Sequence, residues 1–363
     1  MASSPLILAA LAKAALPSAK FKSAKALSSE GRGPIDSALL TDTDGIQVLV
    51  RQSRNAKGNL QLATETAAVR AVKSSGVLPF KVPNLIAEAT TPEGKTLQIL
   101  EFVYGTATQL ESVRATDSML RNLGLAIGAI HSLSAEKIRT SGMPEYSPSD
   151  VRESKLAELD RAAATGRVPA TLLQRWESAL EDLDLFRFQT VPVHGNFTTG
   201  NVLELDGEVS GIIGWSELRI GDPAEDFVTF AANEDHEVLD AVKFAYFERR
   251  EDADSNLAQR ATLYSELAFA NYLVTSISNN KQDEADWAVE QLEAIAESVD
   301  SGSARILSTV AFAAITPIAF EEAEDLVVPD THTVVTEVDD EVDVSDLKTR
   351  PIELPNTSDD QLF

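Results

Sequence analysis

One stretch constrains this chain more than any other. From Val193 to Phe227 it reads Val-His-Gly-Asn-Phe-Thr-Thr-Gly-Asn-Val-Leu, then Gly-Ile-Ile-Gly-Trp-Ser-Glu, then Gly-Asp-Pro-Ala-Glu-Asp-Phe. His194, Gly195 and Asn196 open it, and Asn201 follows Asn196 by five positions. The apolar pair Ile212-Ile213 leads into Gly214-Trp215, Asp222 and Asp226 close the stretch, and Pro192 before it and Pro223 near its end bracket the loop between them. Gly195 permits a tight loop. Asn196 and Asn201 carry side-chain amides, which stay neutral across the physiological range and cannot take up a proton as a carboxylate does.

The 363 residues suffice for one bilobed domain or two ordinary ones, and an apolar fraction of 44% supports a sizeable core. Cysteine is absent, which excludes disulfides and thiolate metal sites. A formal charge of -26 repels other polyanions, so neither nucleic acid nor an anionic membrane surface is expected as a partner. No uncharged apolar run is long enough to span a bilayer. Leu6 to Leu16 is apolar and alanine-rich, but no basic residue precedes it, and Lys13 and Lys20 fall in and after it. Ser4-Pro5 reads as an N-cap and first helical residue, so this segment is expected to be a helix of a cytoplasmic protein.

Further along, Leu39-Leu40 and Ile46–Val50 flank the turn signal Asp44-Gly45 and predict a hairpin whose second strand ends at Arg51. Residues 61–72 have helical character, with Leu62, Ala63, Val69 and Val72 available for an inner face and Glu65 beside them. Thr96–Tyr104 predicts a strand leading to Gly105. Helices are expected over 117–133, 150–164, 170–185, 234–249, 256–278 and 283–298, with an apolar run at 306–318 as a last one. His131 sits near the end of the first of these as a core histidine with its polar atoms satisfied. From Glu321 onward, 14 acidic side chains meet two basic ones without helical period, which predicts a disordered acidic tail.

Taken together, the His194–Asn201 offset, the apolar strand before Trp215 and the Gly-Asp-Pro-Ala-x-Asp-Phe run resemble aminoglycoside phosphotransferases, most closely the macrolide phosphotransferase branch. The resemblance covers approximately residues 1–300. It implies an α+β, bilobed protein-kinase-like fold, with a small β-rich lobe at 1–105 and a larger helical lobe at 106–320, while the acidic tail at 321–363 lies outside it. It also implies Arg51 as the phosphate-side cation, Glu65 as its ion-pair partner, and backbone groups of Glu101, Phe102 and Val103 against a purine edge. His194 and Asn196 then belong to the catalytic loop, Asn201 becomes a metal ligand, and Asp222 supports the loop through backbone hydrogen bonds.

Two positions depart from the family's pattern: Asn196 stands at the catalytic aspartate and Gly214 at the magnesium-binding aspartate. Losing a general base costs about 10²–10⁴-fold, and glycine supplies no ligand to a hard cation. The expectation is a phosphotransferase-family protein that is catalytically weakened or inactive, a pseudokinase-like binder. The alternatives are an active macrolide or aminoglycoside kinase using ATP or GTP with Mg²⁺, and an interaction protein whose acidic tail engages a protein partner.

Overall fold

The computed structural model describes residues 3–27, 33–250, 254–307 and 341–343. Helix α1 (Pro5–Ala15) begins where Ser4 accepts a hydrogen bond from the Ile7 amide, with proline in its first turn. Strands β1 (Phe21–Ala26), β2 (Ile35–Asp42) and β3 (Gln47–Ser53) follow, then helix α2 (Ala56–Ser75), β4 (Leu85–Thr90) and β5 (Thr96–Glu101). Helix α2 is longer than its apolar period suggests, because the Asn55 side chain caps its first turn by accepting from the Gly58 amide. The strands form one antiparallel sheet in the order β11-β1-β2-β3-β5-β4, in which β11 is Glu341–Asp343.

Period-2 alternation gives this sheet two different faces. Ala24, Ala38, Leu40, Val48, Val50, Leu97 and Ile99 pack against Leu8, Ala9, Ala12 and Ala15 of α1, forming the core of the small lobe. On the other face Arg51 of β3 stands beside Ser37 and Gln98 and faces α2. β5 stops at Glu101, so the expected strand to Tyr104 is shorter than read. The chain leaves the sheet because the Tyr104 carbonyl is taken by the Ser210 hydroxyl, at 2.7 Å, and the next pairing is with another sheet.

That sheet contains β6 (Thr106–Ala107), β8 (Val202–Leu205) and β9 (Glu208–Ile212), and it follows the crossover from the small lobe. The helical lobe holds α3 (Met119–His131), α4 (Ala135–Thr140), α5 (Pro148–Ala163) and α6 (Ala170–Glu181). It continues with β7 (Val191–Val193), its partner β10 (Arg219–Gly221), α7 (Val228–Ala231), α8 (His236–Phe247), α9 (Leu257–Ser278) and α10 (Gln282–Asp300). Helix α6 ends four residues before the expected Leu185, where the Asp182 carboxylate turns back to accept the Asp184 amide. Trp176, Trp215, Phe227, Phe230 and Tyr246 lie in one continuous buried core from α3 to α10.

Among the described residues no helix is long and apolar enough to cross a membrane. Ile306 and Leu307 are not helical, and the rest of the expected last helix at 306–318 lies outside the described residues. The disordered tail expected from 321 onward also lies outside them, with one correction. Glu341–Asp343 is a strand paired with β1, because the open edge of β1 offers unpaired backbone groups that an extended segment can satisfy.

Candidate functional site

The loop between β7 and β8 carries His194, Asn196 and Asn201, and buried acidic groups fix its shape. Asp226 accepts the His194 amide at 2.8 Å and the Gly195 amide at 2.8 Å. The same carboxylate meets His131 Nε2 at 3.0 Å, and the Tyr246 hydroxyl lies 3.0 Å from His131 Nδ1. Burial alone would push Asp226 up, but the His131 hydrogen bond, the neighbouring imidazoles and the His194 amide outweigh it. The carboxyl is therefore held below the ordinary aspartate range. His131 is the satisfied core histidine expected from the sequence.

Asp222 does something else. It caps the short turn Pro223–Phe227 by accepting the Ala224 amide at 2.9 Å. Its oxygens also accept from Arg260 Nε at 2.6 Å, Arg260 Nη2 at 2.9 Å and the Tyr264 hydroxyl at 2.6 Å. The expected loop-supporting role of Asp222 therefore belongs to Asp226. The turn between them aims the first carboxylate down at α9 and the second up at the loop. Arg260 and Tyr264, one helical turn apart on α9, were not singled out from sequence; the only signal was a charged residue inside a strongly apolar helix. Arg260 also binds Asp254 and is fully buried, and its two carboxylate partners more than offset the burial that would lower its pKa.

His194 is fully buried. Its ring lies 4.6 Å from that of Trp215, Nε2 donates to the Ile213 carbonyl at 2.9 Å, and Nδ1 accepts the Asn196 amide at 3.3 Å. Those partners assign the tautomer with hydrogen on Nε2. The ring thereby ties the loop to the end of β9, as does the Ile213 amide donating to the Asn201 carbonyl at 2.9 Å. Gly195 has φ +75°, and a Cβ there would lie 2.3 Å from Arg219 Nη1 and 2.6 Å from the Glu217 carbonyl. Only glycine allows that approach.

The two departures meet in space. Asn201 Nδ2 donates to the Asn196 carbonyl at 3.0 Å. Asn201 Oδ1 would lie 2.4 Å from a Cβ at Gly214, whose φ is +75°. A side-chain amide thus fills the space a residue with a side chain at 214 would need. Among the described residues no group of three or more histidines or carboxylates is placed to hold a metal ion. A single amide oxygen is a poor donor set for a hard divalent cation, so these residues do not fit a protein-held Mg²⁺.

Across the cleft, Arg51 Nη1 reaches Glu65 Oε2 at 2.6 Å, with side chains 10% and 8% exposed. The structure thus joins β3 to α2 through the pair expected from the sequence. A cavity of about 160 Å³ opens beside it, lined also by Arg70, Lys73, Asn84 and Gln98. Glu101 ends β5, and Phe102 and Val103 carry the chain across to the helical lobe, where Val103 packs against Gly211.

A β-sheet lobe with a buried Arg–Glu pair, a crossover, and a helical lobe whose histidine-led loop faces a strand and an acidic turn define a bilobed, kinase-like phosphotransferase fold. The chain belongs to the phosphotransferase enzyme family, whose model matches residues 35–258. The apoenzyme of macrolide 2'-phosphotransferase MphH from Brachybacterium faecium superposes with a TM-score of 0.66 at 20% identity, covering 78% of this chain and 97% of that one. The GDP complex of aminoglycoside 2'-phosphotransferase-IIIa gives a TM-score of 0.67 at 16% identity, covering 82% and 100%. Among curated proteins, YcbJ of Bacillus subtilis strain 168 is 24% identical over 199 residues, 52% of this chain. That match spans 64% of the length of YcbJ.

Proposed function

We propose that this family member binds a purine nucleotide in the interlobe cleft and has weak or no metal-dependent phosphoryl transfer. One observation carries the reading: the Asn201 amide occupies the space beside Gly214 while bonded to the backbone of Asn196. The place for a metal-binding carboxylate is closed, and the loop is locked without a metal. Arg51, paired with Glu65, is the cation for the phosphates, and backbone groups of Glu101–Val103 meet the purine edge. Asn196 orients an incoming hydroxyl but removes no proton from it.

The small-molecule site is of the macrolide or aminoglycoside type, which the substrates named for the similar structures support. The cytoplasm, where nucleoside triphosphates are abundant, is the compartment this reading requires. A second reading is a working macrolide or aminoglycoside kinase using ATP or GTP with Mg²⁺. It is favoured by Glu217, whose backbone abuts Gly195 and whose side chain is 58% exposed, with only a 3.9 Å ion pair to Arg219 holding its carboxylate. Nucleotide titration with Mg²⁺ and with EDTA, followed by a transfer assay on both drug classes, separates the two. Binding insensitive to chelation, without transfer, is expected; robust Mg²⁺-dependent transfer by the natural protein would sink the first reading and establish the second.

A further inference from the structure

Thr66, Val69, Arg70 and Lys73 recur at helical spacing and form one stripe along α2. That stripe lines the cavity of about 160 Å³ beside the Arg51–Glu65 pair, whose remaining walls come from β3, the start of β4, and β5. No lining residue belongs to the loop at 194–201, to Gly214 or to Phe102 and Val103. The cavity is walled by the small lobe alone.

Its walls are of two kinds. Val69 and Leu100 are buried and with Leu85 supply an apolar floor, whereas Arg70 and Lys73 are exposed at the mouth. An apolar cavity of about 150 Å³ admits benzene, so a body of that size fits this one.

The charges are out of balance. Arg51, Arg70 and Lys73 meet a single lining carboxylate, Glu65, which is already paired with Arg51. Two cations are thus left over, in a protein whose net charge is -26. Arg70 has no hydrogen-bond or ion-pair partner among the described residues. Lys73 Nζ donates to a neutral group, the Asn84 side-chain carbonyl, at 2.5 Å. Partial burial lowers the pKa of its ammonium, with Glu101 opposing. A carboxylate is the stronger acceptor for both cations, since charge-assisted hydrogen bonds are about twice as strong as neutral ones. It would also relieve the repulsion between like charges three residues apart on one helix face.

We propose that this cavity is a binding site for a small monocarboxylate with an apolar body about the size of a benzene ring: the body lies over Val69, Leu85 and Leu100, and the carboxylate is held between Arg70 and Lys73. The class follows from both kinds of wall. A phosphate would use the cations and leave the apolar floor unfilled. A neutral apolar molecule would fill the floor and leave both cations without a counter-charge. The site is separate from the interlobe cleft and does not rest on the nucleotide-binding reading.

The test uses the full chain, with phenylacetate as the probe. Calorimetric titration should show saturable binding, about tenfold or more tighter than that of acetate, which lacks the apolar body, or of phenylethanol, which lacks the charge. Arg70→Gln and Lys73→Gln change exposed positions and should leave the Tm unaltered. Each should weaken phenylacetate about threefold and the two together about tenfold, with phenylethanol unaffected; Arg70→Lys should keep most of the affinity. Saturating phenylacetate should slow hydrogen exchange in residues 66–73 and 83–85.

No binding of phenylacetate by the natural protein, or unchanged affinity in the double variant, would overturn the site. So would protection confined to other parts of the chain. Tighter binding of inorganic phosphate than of phenylacetate would overturn the apolar body. Competitive displacement of phenylacetate by an ATP or GTP analogue would join the cavity to the interlobe cleft and overturn its separateness.

Discussion

Replacing Gly214 with aspartate puts a carboxylate into space that the Asn201 amide now fills, and the geometry sets the cost. A side chain at φ +75° costs about 1–2 kcal/mol, less for aspartate than for most residues. The new Cβ would lie 2.4 Å from Asn201 Oδ1 and 2.8 Å from its Cγ, so the amide must turn away. That movement endangers the hydrogen bond to the Asn196 carbonyl at 3.0 Å and the longer contact with Thr198 Oγ1 at 3.4 Å. At about 1 kcal/mol for the first and less for the second, the total is about 2–4 kcal/mol. Without ligand the Tm should therefore fall by roughly 5–10 °C. Gly214→Ala meets the same strain and contact but adds no carboxylate, so it isolates the metal effect. Calorimetry of both variants with a nucleotide and Mg²⁺ should show Gly214→Asp recovering most of its loss, since ligand at 100 times Kd stabilises by about 2.7 kcal/mol. Gly214→Ala should not recover. Adding Asn196→Asp should then bring turnover, non-additively, because both groups serve one transition state. Parent-like stability of both single variants would refute the packing argument, and equal recovery of both with Mg²⁺ would refute the assignment of position 214.

The assignment of the two acidic residues predicts distinct failures. Asp226→Asn should destabilise by about 2–4 kcal/mol in urea and speed hydrogen exchange at His194 and Gly195; Asp222→Asn should instead loosen α9 and leave those two amides protected. Glu225 is part-buried, its side chain 15% exposed and paired with Arg219, and desolvation, only partly opposed by that guanidinium, pushes its carboxyl from 4.5 to about 7. A raised carboxyl pKa means the folded state holds a proton that the unfolded state releases. Its contribution of about 3 kcal/mol is thus present below about pH 4.5 and lost as pH rises through about 7. Glu225→Gln should flatten the Tm–pH profile between pH 5 and 8 relative to the parent; an unchanged slope would contradict the assignment. Gly195→Ala should cost about 2–4 kcal/mol, because its Cβ meets the Glu217 backbone as well as Arg219; chemical denaturation measures it, and a loss below about 0.5 kcal/mol would mean the loop adapts.

Much of this protein is written locally in its sequence. Ser4-Pro5 starts α1 because a cap needs only neighbouring residues, and the apolar period of α3, α9 and α10 marks faces that must be buried. The offset from His194 to Asn201, and the two missing carboxylates at Asn196 and Gly214, are likewise properties of one short stretch. The tertiary structure decided what depends on residues far apart along the chain. Asp222 and Asp226 lie four positions apart in one turn, yet one meets Arg260 and Tyr264 and the other His194, Gly195 and His131. Nothing local distinguishes them, because a carboxylate's role is set by the donors that converge on it. The same holds for the Asn201 amide beside Gly214, and the pairing of residues 341–343 with β1 is likewise decided in the fold. A sequence shows which side chain is missing, but only packing shows what stands in its place, since space and hydrogen-bond partners are shared between segments that meet only in the fold.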